Sequence, residues 1–276
     1  VNSKVQCKNV KWCRKGKASN WGEGLTYEKF KNNIIVTDKK VAAQIYNKGN
    51  TGTPQSGGNL LLTSYEALYS NDRKDIVLTD DEVEELKGDK LVYYTYRDLK
   101  ERGLVVKSDE KGLRLYDRNT STKSAASAIV YSYNFQDNID FSKVIKELKA
   151  GFERRTQIGI VDNEGDVVYY IANLIEWPKT KLKDNLENIN DDPKMKELVD
   201  LGYQIHSGLK FGTHYRVYNY ESEHAPWLIH ITQKNHNWLD IARMIRVGHG
   251  VNKIIVLAYE KYWISLKWTK PWELEF

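Results

Sequence analysis

Cysteine is almost absent from this chain of 276 residues: Cys7 and Cys13 are the only two, and no histidine lies near them. Two thiols cannot build a four-thiolate zinc site. They are either free or joined across a short loop, and a reducing compartment favours the free thiols. Any apolar run approaching the roughly 18 residues of a membrane helix is also missing. The stretch from Ile254 to Leu266 is interrupted by Glu260 and Lys261. The first residues scatter Lys4, Lys8, Lys11, Arg14, Lys15 and Lys17 around no apolar core, unlike a secretory signal. A cytoplasmic protein without a membrane partner is expected. A strong excess of one charge is lacking too: the net charge is +5 and the pI about 8.8, which permits nucleic-acid binding without requiring it. Histidine is absent before His206, and all six lie between His206 and His249.

Aromatic residues are plentiful, with 18 Tyr and 8 Trp, enough for base stacking as well as core packing. The chain also runs through one plan twice. Gly103-Leu-Val-Val-Lys continues to Gly112-Leu-Arg-Leu-Tyr116. Gly202-Tyr-Gln-Ile-His continues to His214-Tyr-Arg-Val-Tyr218. Each stretch follows a charged helical segment and ends in Arg-apolar-Tyr.

Periodicity predicts the same order of elements in both copies. The first copy has a helix at 91–102, strands at 104–107, 113–116 and 127–133, a helix at 141–152, and strands at 157–161 and 166–172. The second has a helix at 193–201, strands at 204–207, 214–218 and 227–232, a helix at 238–248, and strands at 253–258 and 262–268. Upstream, a short hairpin is expected within 25–38 and a loop over 47–58. A helix entry follows at 59–69, with Thr63 and Glu66 as a capping box, and another helix begins at Thr79. The fold class is mixed α+β, with tandem duplicated units, each a small mixed sheet with flanking helices. The expected division is a basic extension (1–25), an α/β domain (26–88), an inactive repeat (89–175), a linker with a short helix (176–200) and a catalytic domain (201–276).

The second copy carries the chemistry-bearing residues. Gly208-Leu-Lys-Phe-Gly-Thr-His-Tyr-Arg-Val-Tyr218, then Glu223-His224-Ala225, then Arg246-Val-Gly-His-Gly-Val-Asn-Lys253 resembles the catalytic domain of archaeal tRNA-splicing endonucleases. Tyr96 to Lys107 and Ile158 to Tyr170 are similar to the same family. The resemblance covers roughly residues 25–276 and matches its two-repeat form, in which two chains make a dimer. It implies a restriction-endonuclease-like fold for the catalytic unit. It also implies excision of introns from precursor tRNA at bulge-helix-bulge structures, without metal or other cofactor, leaving 2′,3′-cyclic phosphate and 5′-hydroxyl ends.

Such cleavage needs a base for the 2′-hydroxyl, a cation for the phosphorane and an acid for the leaving 5′-oxygen. The resemblance assigns these to Tyr218, Lys253 and His224 in that order. A tyrosine is an unusual base, since its free pKa is about 10; Lys253 and phosphate contacts are expected to tune the site. The resemblance further implies that Arg246 stacks on a bulged base. Trp268, where relatives often carry Arg, is the candidate for the second planar group. Lys210, Arg216, Lys267 and Lys270 are candidate phosphate contacts. An acidic loop would dock into the partner chain through Asp137 and Asp140. The first copy keeps Tyr116 but lacks the histidine, and Gln157 stands roughly where the second has Lys253. It is expected to be structural.

His206, His214, His230 and His236 are expected to be non-catalytic, with His249 a packing residue. An alternative reading is a non-catalytic RNA-binding or assembly subunit, which retention of Tyr, His and Lys in one copy argues against. A metal-dependent nuclease would use Asp162, Glu164 and Asp166, but these look like a hairpin turn in the copy without the lysine.

Overall fold

A computed structural model describes residues 14–17, 26–30, 32–109, 112–117, 122, 124–151, 155–181, 192–220, 223–232 and 235–273. Cys7 and Cys13, most of the basic extension and the Asn-rich part of the linker lie outside these residues. The chain divides into two compact units between Ser127 and Ala128.

In the first unit, β1 (Arg14–Lys17), β2 (Thr26–Phe30), β3 (Asn33–Val36), β4 (Thr53–Pro54) and β5 (Leu60–Leu62) form an antiparallel sheet of order β1-β2-β3-β5-β4. The expected hairpin is β2–β3, and part of the expected extension is the edge strand β1. Helix α1 (Lys39–Asn47), capped by Asp38, joins the sheet core through Ala42 and Ile45. Leu60 to Leu62, expected to lead into a helix, is instead a strand alternating buried and half-buried positions. The capping box is where the sequence places it: Thr63 and Glu66 open α2 (Ser64–Asp72), and Thr79 and Glu82 open α3 (Asp80–Leu86). Helix α4 (Lys90–Glu101) ends at Gly103, whose φ of 79° needs glycine. The β6 (Val105–Asp109)–β7 (Gly112–Tyr116) hairpin follows.

The second unit holds β8 (Ala128–Asn134), α5 (Phe141–Ala150), β9 (Arg155–Val161), β10 (Val167–Leu174), α6 (Pro193–Asp200), β11 (Gln204–Ser207), β12 (Tyr215–Tyr218), β13 (Trp227–Ile231), α7 (Trp238–Gly250), β14 (Ile254–Tyr259) and β15 (Tyr262–Thr269). Its strands lie in one mixed sheet of order β11-β12-β13-β14-β15-β10-β9-β8. The parallel pairs are β8–β9 and β13–β14, each bridged by one helix. The order helix-strand-strand-strand-helix-strand-strand therefore occurs twice, from α4 to β10 and from α6 to β15. Ile158 and Ile255 stand at the same distance from the helix glycines Gly151 and Gly248, and their partners across the hairpins are Tyr170 and Leu266, so the next residues, Ile171 and Lys267, are equivalent positions. They face each other across the antiparallel β10–β15 pair, so the closing strands of the repeats meet about a local twofold.

Strand alternation divides the core. Ile255 and Leu257 of β14 pack with α5 and α7, while Val256 and Ala258 pack with Met195 and Leu198 of α6. Trp238, 2% exposed, anchors α7, and its removal would cost about 3–5 kcal/mol.

Candidate active site

The end of α7 sets the position of Lys253. Asn252 turns with φ of 53°, and the Lys253 amide donates to the Gly248 carbonyl at 2.8 Å. A Cβ on Gly248 would come within 3.0 Å of the Lys253 carbonyl oxygen, so only glycine lets β14 start this close to the helix. The Ile254 amide then donates to the Pro226 carbonyl at 2.9 Å, and Lys253 Nζ donates to the carbonyl of Ala225. The lysine is thus tied to the residue that follows His224, whose own side chain is exposed.

Tyr218 ends β12. Val217 packs with the α6 core, so its neighbours Arg216 and Tyr218 face the other side of the sheet. The Tyr218 ring meets the His206 ring edge-on at 5.4 Å between centroids, and the Arg216 guanidinium lies 5.9 Å from its centre. Lys210 and Lys253 lie 4.9 and 5.8 Å from the ring of Phe211. Partial burial first, then the charges of Arg216 and Lys210, pull the Lys253 ammonium below the ordinary lysine value. Arg216 therefore couples electrostatically to Lys253 while lying over Tyr218. Sequence reasoning missed Phe211 and His206 as neighbours of the site. The only available signal was that both occur in the second copy of the repeated segment.

Arg246 is exposed on α7. It acts on Tyr170, which burial pushes up to about 12 and the Arg246 charge draws back. Tyr170 is paired with Trp268 across β10–β15. Trp268 packs half-buried against the core, 4.8 Å from the His249 ring. Arg246, Tyr170, Trp268 and His249 thus share one neighbourhood, with the indole already contacting a histidine. Lys270 is paired with Glu273 at 3.3 Å.

The acidic loop is bound within its own chain. The Ile139 amide donates to His236, and the Trp238 and Leu239 amides donate to Asp137 and Phe135, at 2.8–3.2 Å. The Asp140 carboxylate caps α5, accepting from the Lys143 amide at 3.0 Å, while Asp137 is exposed. His214, His230 and His236 form a separate cluster, with ring centroids 4.4 and 4.8 Å apart. Burial and the two neighbouring imidazoles lower His230 to about 4. Asp162 accepts from the amides of Glu164 and Asp166 at 2.9 Å, which locks a hairpin turn.

In the first repeat Tyr116 is buried, 7% exposed. Counted five residues from the helix glycine, the position matching Lys253 is Thr156, next to Gln157. Both residues are buried and uncharged.

The two repeats of this α+β protein therefore differ in charge: among the described residues, only the second has an exposed imidazole at His224 and leaves Lys210, Arg216 and Lys253 without a carboxylate partner. The sequence profile of the tRNA intron endonuclease catalytic C-terminal domain matches residues 90–169 and 195–264, and the chain belongs to that family. It is 49% identical over 147 residues to the tRNA-splicing endonuclease of Pyrococcus horikoshii, covering 51% of this chain and 83% of that protein. It is 40% identical over 82 residues to the tRNA-splicing endonuclease of Pyrococcus furiosus, covering 27% of this chain and 48% of the relative. The match to that of Methanococcoides burtonii is 30% over 151 residues, 49% of this chain and 43% of the relative. The chain thus spans most of the first relative and under half of the other two. The family expected from the motifs is the family found.

Proposed function

We propose that this chain is an endonuclease that excises introns from precursor tRNA by metal-independent cleavage at bulge-helix-bulge motifs. The reading divides the labour between a structural repeat (89–175) and a catalytic domain with a restriction-endonuclease-like fold (201–276). Tyr218 removes the 2′-hydroxyl proton. The 2′-oxygen attacks phosphorus, Lys253 holds the developing charge on the phosphorane, and His224 protonates the departing 5′-oxygen. The products are a 2′,3′-cyclic phosphate and a 5′-hydroxyl.

The observation that carries this reading is the Lys253 hydrogen bond to Ala225, which ties the ammonium to the loop bearing His224. Arg246 is proposed to stack on a bulged base, with Trp268 as its partner after the indole leaves His249. Two chains form a homodimer, to which Asp137 contributes its exposed carboxylate and Asp140 a carboxylate shared with its own helix cap. Two sites related by a twofold would measure the spacing between bulges, so RNA is read mainly by shape.

The test is incubation with a synthetic bulge-helix-bulge RNA in excess chelator, with end-group analysis of the fragments. Full cleavage with cyclic phosphate ends is expected. Loss of cleavage on chelation, or 5′-phosphate ends, would contradict the reading.

A further inference from the structure

We propose that Lys210, Arg216 and Lys253 form one phosphodiester-binding site, in which Arg216 is a second cationic catalytic residue gripping the scissile phosphate from the strand that carries Tyr218. The proposal rests on the nuclease reading above.

Three elements deliver the three cations: the turn before β12, β12 itself and the start of β14. A Cβ on Gly208 would lie 2.4 Å from the Thr213 hydroxyl, so only glycine lets the turn fold back and bring Lys210 and Phe211 to the site. Lys210 and Lys253 both lie over the Phe211 ring, and Arg216 lies over Tyr218. Among the described residues no carboxylate pairs with any of the three, whereas several other cations have one. Lys107 has Glu66 at 2.8 Å, Arg102 has Asp98 at 2.6 Å, and Arg243 has Asp240 at 3.3 Å. Arg216 Nε is buried and has no hydrogen-bond partner among the described residues.

Like charges gathered without an acid repel one another, and the effect is visible on Lys253, depressed by Arg216 and Lys210 in addition to its burial. A phosphodiester anion would reverse that penalty. Guanidinium presents a planar fork that can hold two phosphate oxygens at once, which an ammonium cannot. Lys253 then supplies a point charge on one side and Arg216 a fixed fork on the other. Lys210, exposed and on a flexible stem, contributes to binding more than to rate.

The experiment compares the full-length parent with Arg216→Gln, Arg216→Lys and Lys210→Gln. Single-turnover cleavage of a bulge-helix-bulge RNA is measured alongside equilibrium binding of the same RNA carrying 2′-deoxyribose at the cut position, across a salt series. Arg216→Gln should lower the maximal cleavage rate by about 100-fold or more while weakening binding no more than about tenfold. Its log K against log salt slope should fall by roughly 0.7–0.9, as for one lost phosphate contact. Arg216→Lys should recover part of the rate and the full slope. Lys210→Gln should act mainly on binding, by about five- to tenfold. An Arg216→Gln chain that cleaves within threefold of the parent, or whose salt slope is unchanged, would overturn the proposal. If Arg216→Gln melts before assay, Arg216→Lys decides, since parental rate and slope together would also overturn it. A parent that binds but does not cleave would sink the nuclease reading alone, and the salt slopes would still judge the binding site.

Discussion

The two repeats share their element order and part company over charge. Lys107 faces Arg114 across β6–β7 as His206 faces Arg216 across β11–β12. In the first repeat that lysine is neutralised: its ammonium sits on Glu66, 1% exposed, and on the Gly52 carbonyl at 2.6 Å. Tyr116 is sealed in, and Thr156 stands where the second repeat has its lysine. In the second repeat the tyrosine is half-exposed, no acid among the described residues pairs with Lys210, Arg216 or Lys253, and the His224 imidazole faces solvent. One scaffold thus supports a copy whose lysine is charge-paired and, on the reading proposed above, a copy whose cations await an anion. The difference lies in a few side chains, not in topology.

Mutation of the site should break this contrast most sharply. Tyr218→Phe, His224→Ala and Lys253→Ala should each lower single-turnover cleavage by about 10²–10⁴-fold. Tyr116→Phe should stay within about twofold; comparable losses on both tyrosines would erase the distinction between working and supporting repeats.

The opposite defect is expected in the supporting copy. Glu66→Gln leaves Lys107 without its charge partner, so denaturant unfolding should show a loss on the order of 3 kcal/mol. Cleavage per folded molecule should not change. A stable but inactive variant would place Glu66 in the wrong half of the comparison.

A smaller effect comes from Lys100, which burial lowers to about 8, with Lys107 adding to the shift. The folded state releases this proton near pH 8, whereas the unfolded chain keeps it until about 10.4. Below pH 8 the full penalty of a buried ammonium is present. It is relieved as pH rises from about 8 to about 10.4, so stability increases across that window. Lys100→Met should flatten this rise, and an identical pH profile in the variant would show that another group is responsible.

The weakest effect tests the docking loop. Asp137→Lys combined with Asp140→Asn reverses one charge and removes another while keeping a side chain able to cap α5. The dimer, measured by sedimentation, should weaken by about tenfold. An unchanged dimer would leave Asp140 only its cap.

Much of the architecture was legible because the signals were local. Gly103 stops α4, Thr63 and Thr79 cap their helices, and the alternation in the β-strands fixes which side chains share a face. Leu60-Leu61-Leu62 was misread because three apolar residues carry no period, and a capped helix just downstream drew them in. Helix α1 was overlooked although Asp38 caps it, since only Ala42 and Ile45 of its residues are buried. Within the site, residue types and spacing pointed to Tyr218, His224, Lys253 and Arg246. The surroundings were not legible. Phe211 serves two ammonium groups only because Gly208 lets the turn fold back, and Arg216 meets Tyr218 only through the pleat of β12. The counterpart of Lys253 was legible only to within a residue, because hydrophobicity does not locate the start of β9 more finely.

The sharpest test of the central claim, that the second repeat alone assembles acid, base and cation around one phosphate, is leaving-group rescue. His224→Ala is assayed on a bulge-helix-bulge RNA whose 5′-bridging oxygen at the cut is replaced by sulfur, a leaving group that needs no proton. If His224 is the acid, the variant should cleave this RNA within about tenfold of the parent while remaining at least about 100-fold slow on the oxygen substrate. An equal deficit on both RNAs would contradict the account, because it would mean that His224 is not the residue that delivers the proton.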